Sequence, residues 1–110
     1  MTKKDLLDNI ELLLEVINSL YSKDLSEEEK KEMGELADKL DKAQNRLVKL
    51  MIQENDAKYV KFTEELGAVN SRIKQDLTAF EKLRKILDGV KQAVELITEI
   101  VKLLGVASAA

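Results

Sequence analysis

LGAVNSRIKQDLTAFEKLRKILDGVKQAVELITEIVKLLG, residues 66–105, decides the fold. Apolar side chains return at steps of three and four: Leu66, Val69, Ile73, Phe80, Leu83, Leu87, Val90, Val94, Ile97, Val101 and Leu104. This is the period of a helix with one buried stripe. Asp88-Gly89 alone reads as a turn, but the phase passes from Leu83 and Leu87 to Val90 and Val94 without a reset. The spacing therefore predicts one helix over 57–105, bent at most at Gly89 and about 70 Å long at 1.5 Å per residue.

One position interrupts the stripe. Asp76 stands where the neighbouring repeats carry aliphatic residues. At about 100° per residue it lies some 60° from Ile73, while Leu77 lies about 40° away on the other side and can fill the seam. Arg72, four residues earlier, is placed to pair with Asp76 at the rim, although Arg-first is the weaker order. Asp76 and Arg72 are thus candidates for a specificity role, because a polar residue beside an apolar seam sets register or partner choice.

The rest of the chain is consistent with long helices. Its 110 residues include no Pro, no Trp and 4 Gly, with 45% apolar and 35% charged residues. All-β domains need frequent Gly- and Pro-rich turns, which are missing. A first helix is expected over about 3–22, capped by Thr2 with Asp5. Its apolar residues cover about half the circumference, enough for two neighbours. Ser26 with Glu29 forms a capping box for a second helix over 27–54. Met33, Leu36, Leu40, Ala43, Leu47 and Leu50 form its heptad stripe. A break is expected at QEND, residues 53–56, with Asn55 as a cap; the alternative is one helix carried through as a stutter. Gly34 and Gly67 are expected at close helix contacts, Gly105 at a helix C-terminus, and residues 106–110 in a frayed tail.

Composition narrows function. Without His, the commonest general base and transition-metal ligand is missing. Without Cys there are no disulfides or thiolate sites, which suits a cytoplasmic setting. None of the serines lies in a Gly-flanked elbow. DLSEEEKKEMGE, residues 24–35, lacks the alternating ligands and central Gly of a calcium loop, so it reads as a capped helix start. No phosphate-loop glycine pattern occurs. The expectation is no catalytic site, no metal and no cofactor. A net charge of −3 argues against nucleic acid as partner. Two basic clusters, Lys39, Lys42, Arg46 and Lys49, then Lys82, Arg84 and Lys85, are interleaved or flanked by Asp38, Asp41, Glu81 and Asp88. The N-terminus has acids among its apolar residues, unlike a signal peptide, and no stretch is long and apolar enough to span a membrane.

The expected fold is all-α: an elongated antiparallel bundle of three helices in one domain, 1–110, with a four-helix bundle broken at Asp88-Gly89 as the alternative. In the three-helix form, helices of about 30 and 42 Å leave part of the 70 Å helix uncovered. This predicts self-association, most simply as a dimer, through Val90, Val94, Ile97, Val101 and Leu104. The functional expectation is a non-enzymatic helical interaction or structural protein, an adaptor, chaperone-like or assembly factor with a helical protein as a further candidate partner. The alternative is a membrane-active helical protein using the apolar C-terminal stretch, residues 90–106. There Lys91 and Lys102 balance Glu95 and Glu99, which gives no net attraction to anionic lipid.

Overall fold

The computed structural model describes residues 1–21, 23, 25–78 and 83–109, and side chains as far as residue 105. Among the described residues it is all-α, with α1 over Lys3–Tyr21, α2 over Glu27–Lys49, α3 over Ala57–Leu77 and α4 over Leu83–Ala109. It measures 46 × 23 × 17 Å.

Local chemistry sets the helix starts. The Thr2 hydroxyl accepts from the Asp5 N–H at 3.1 Å, and Asp5 accepts from the Thr2 N–H at 3.3 Å. The Ser26 hydroxyl accepts from the Glu29 N–H at 3.2 Å, and Glu29 accepts from the Ser26 N–H at 3.0 Å. That return bond from the Ser26 backbone, then the Ser26 hydroxyl and the distant positive Arg84, hold the Glu29 carboxyl below the usual range. A break near residues 53–56 is present, but Asp56 rather than Asn55 caps α3, accepting from the Tyr59 N–H at 3.0 Å. α2 ends at Lys49, several residues short of the expected end. Leu50, at the C-cap, adopts extended backbone that leaves the helix.

The expected helix over 57–105 is not continuous. It divides into α3 and α4, and the division falls after Leu77, not at Asp88-Gly89. Phe80, Glu81 and Lys82 lie outside the described residues. The Thr78 hydroxyl and N–H both bond to the Gln75 carbonyl, at 2.7 and 3.2 Å, and close the end of α3. α4 then runs back along α3: Arg72 donates to Gln92 at 3.0 Å, and Ile73 lies against Gly89. The reversal is driven by burial. A straight helix would leave much of its stripe in water, whereas each large aliphatic side chain fully buried contributes about 1.5–3 kcal/mol. In the hairpin Ile73, Ile86, Leu87 and Val90 are all buried. The few backbone hydrogen bonds lost at the reversal cost about 1 kcal/mol each.

α1 and α2 form a second antiparallel pair. Tyr21 donates to the Lys30 carbonyl at one end, and Lys3 Nζ donates to the Val48 and Leu50 carbonyls at the other. The two hairpins join through α2 and α4, which run parallel: Glu32 pairs with Lys91, and Arg46 lies over Gly105. α1 also touches α3 and α4, while α2 and α3 sit on opposite corners. Where α3 meets the start of α1, Tyr59 is fully buried and donates its hydroxyl to the Met1 carbonyl at 2.8 Å.

Gly34 faces α1 as expected, with the Tyr21 hydroxyl 3.4 Å from where a Cβ would stand, but the other glycines depart from expectation. Gly67 has open space where a side chain would stand. Gly89 is the tight one, since a Cβ there would lie 2.9 Å from Ile73 Cγ1. Gly105 does not end a helix, because α4 continues to Ala109 with no glycine at positive φ among the described residues.

Two stability measurements follow. Gly67→Ala is expected to stabilise by about 0.5–1 kcal/mol, the helix-propensity gain alone. Gly89→Ala makes the same gain but overpacks against Ile73, and the net effect in urea unfolding is expected to be a loss of about 1 kcal/mol. The second measurement is pH dependence. Burial, with the negative Glu54 and Asp5 nearby, pushes the Tyr59 hydroxyl up to about 12 from an ordinary 10. The folded state therefore holds this proton when the unfolded state has released it. The stabilisation is complete below pH about 10 and is lost as pH rises through about 12, on the order of 2–3 kcal/mol. Tyr59→Phe should lose less stability than the parent across that interval.

Candidate functional site

α2 carries two stripes. The apolar one, Met33, Leu36, Leu40, Ala43 and Leu47, is buried. Beside it runs a charged one: Glu28, Glu32, Glu35, Lys39, Lys42 and Arg46, at steps of four, three, four, three and four. The order is three acids, then three bases. Asp38 and Asp41 interleave with the bases in sequence, but at 100° per residue they stand roughly 80° and 140° round the helix from the stripe's centre line. All six are exposed except half-buried Glu32. Among the described residues Glu32 alone of the six is in an ion pair, with Lys91.

The stripe forms one bank of a groove between α2 and α4. Two hollows follow each other along it. The first has Glu32, Glu35, Glu95 and Glu99 around Leu36 and Val94, with Lys91 among them paired to Glu32. The second has Lys39, Lys42, Arg46 and Lys102 around Ala43 and Val101, with no acid in its lining. Lys39 and Thr98 belong to both, so the groove is continuous. The centres of the two charge blocks are about ten residues apart on α2, roughly 15 Å. That exceeds the screening length of about 10 Å in 0.1 M salt, so the two ends act as separate poles.

The candidate interface residues are placed differently from expectation. Val90, Val94, Ile97 and Leu104 are at most 3% exposed, packed within the bundle. The 70 Å helix from which they were argued is divided, and α3 folds back over α4. Val101 alone of the five is half-buried, and it lines the basic hollow. Arg72 is exposed and bonded to Gln92, and Asp76 is half-buried near the end of α3. Leu77 packs against the core, as wheel geometry suggested. Arg84 and Lys85 are exposed on α4.

Sequence reasoning passed over Asn70. It is 3% exposed, and its amide donates to Asn9 Oδ1 on α1. Asn9 in turn donates to the Asp5 carbonyl at 2.7 Å. Asn70 Oδ1 has no hydrogen-bond partner. The available signal was the 3–4 spacing of Leu66, Asn70 and Ile73, which puts an amide on the buried face. A lone buried amide between helices favours one register over others, at a cost in stability.

Among the described residues no group of three or more acids is placed to hold a metal ion, and no helix is long and apolar enough to cross a membrane. No protein family, no curated protein and no solved structure matches the chain.

Asn70→Leu keeps the branching of the side chain and removes the orphaned acceptor. It is expected to raise stability by about 1 kcal/mol in urea unfolding. A loss of that size would show instead that the Asn9–Asn70 bond outweighs the unpartnered oxygen.

Proposed function

We propose that the chain is a non-enzymatic helical interaction protein, of the adaptor or assembly-factor kind, and that the α2/α4 groove is its contact surface. The observation that supports this is the pairing of an apolar floor with charge sorted by sign along one line. The helix macrodipole favours acids in the first turn and bases in the last, but the sorted run extends inward from both ends to Glu35 and Lys39. Sorted charge steers a partner into one orientation and raises the rate of encounter, while the apolar floor contributes to holding it. An interaction surface of this kind is a helix-in-groove site, which takes an amphipathic segment.

The membrane-active alternative would use the apolar face of α4. That face is occupied by the rest of the bundle, so α4 would have to leave it and expose Val90, Ala93, Ile97 and Ile100 together. The groove needs no such rearrangement.

Photo-crosslinking tests the proposal. A benzophenone side chain at Lys42, in the groove, is compared in living cells with one at Asp8 on α1 and one at Glu64 on α3, all exposed positions. A discrete adduct from Lys42, not reproduced at the other two, is the expected result. No adduct, or the same adducts from every position, would overturn it.

A further inference from the structure

We infer that the groove docks a second copy of this chain, with the two α2 helices antiparallel. This rests on the groove being a contact surface and goes on to name the occupant. The inference comes from the symmetry of the charges. Glu28 and Arg46 stand equally far from position 37, on opposite sides; so do Glu32 and Lys42, and so do Glu35 and Lys39. The stripe is therefore its own complement when reversed.

A two-fold axis lying in the interface, perpendicular to α2 at the level of residue 37, brings α2 against its copy. Glu28 then faces Arg46 of the second copy, Glu32 faces its Lys42, and Glu35 faces its Lys39. Each pair occurs twice, which gives six opposite-charge pairs from one helix face. A two-fold axis along the helices would instead set acids on acids and bases on bases. A C2 contact requires a self-complementary patch, and this ordering supplies one. Residues three and four apart share a helix face, so all six side chains point into the contact at once. Five of the six have no ion pair within the chain among the described residues, so they do not have to give one up to form the dimer. The small floor residue Ala43 and half-buried Val101 let the helices approach. Since charge carries most of the contact, the dimer is strongly salt-sensitive.

Charge exchange tests this with the full chain. By sedimentation equilibrium the parent is expected to dimerise in about 50 mM NaCl and to weaken at least about tenfold in about 500 mM NaCl. The exposed pair Glu28→Lys and Glu35→Lys, in one variant, should lose dimerisation by at least about tenfold, as should Lys39→Glu with Arg46→Glu in another. Mixed one to one, the two variants face only opposite charges and should dimerise again, to within about threefold of the parent. Far-ultraviolet circular dichroism checks that each variant is folded, and Lys30→Glu with Lys49→Glu controls for general charge change. A parent that stays monomeric at about 0.5 mM in low salt overturns the inference. So does a dimer that both variants retain, or a mixture that fails to recover. A monomeric parent that still gives a groove-specific cross-link to a different protein sinks self-docking alone. A monomeric parent with no such cross-link sinks both this inference and the interaction reading.

Discussion

The contact between Ile73 and Gly89 is the constraint on which the rest of the structure depends. Ile73 occupies the space that a side chain at residue 89 would need. That closeness lets α3 and α4 pack as a hairpin over most of their length. Once they do, the long apolar stripe is folded on itself and α4 becomes the centre of the molecule. It touches α3, α2 and α1. The broad apolar face of residues 90–104 is then satisfied within one chain, with Val90, Ala93 and Ile100 fully buried.

A central α4 also explains the unusual order of neighbours. A simple up-and-down bundle places consecutive helices side by side. Here α2 and α3 are consecutive but diagonal, and α2 takes the parallel α4 as its neighbour. The seven residues 50–56 must cross the end of the bundle. At about 3.3 Å per residue they reach about 23 Å, and the diagonal of a square of helices about 10 Å apart is about 14 Å. The crossing is therefore unstrained. Lys3 holds it by donating to the Leu50 carbonyl, and the Lys3 N–H donates to Glu54 at 3.1 Å. Parallel helices bring like ends together, so the acidic start of α2 lies by Lys91 and its basic end by Lys102.

Helix chemistry was legible in the sequence wherever a local rule decides the outcome. Thr2 with Asp5 and Ser26 with Glu29 cap as their spacing implies, because those bonds close within four residues. Most of the described apolar stripe positions are buried as their period implies, with Leu50, Leu83 and Val101 half-buried. The reversal after Leu77 was not legible, for a physical reason: a 3–4 pattern that keeps its phase through residues 69–94, with one gap at Asp76, is what one helix needs, and also what two antiparallel arms with a short connection need. Asp76 marked the interruption, but wheel geometry offered Leu77 as its substitute and so preserved the single helix. The charged stripe was hidden for a related reason. Asp41 is a neighbour of Lys42 in sequence but not on the surface, and Asp38, though four residues before Lys42 and beside it, stands outside the line, so the cluster looked mixed in sign.

Apolar stripes alone do not specify this arrangement. Leu, Ile and Val at steps of three and four pack acceptably in several registers and against any of the other helices, because dispersion and burial have little directional content. Specificity has to come from groups whose energy depends strongly on position. Asn70 is one, since a shift of α1 along α3 would take Asn9 away from its amide N–H and leave the whole buried side chain without a partner. Gly89 is another, because Ile73 fits only over that gap. The six charges of the α2 stripe belong to the same class, but among the described residues five of them are in no ion pair. Buried polar and steric features thus each select one packing inside the molecule, while the sign-ordered stripe, apart from Glu32 with Lys91, carries position-dependent charge that the fold of the described residues does not use.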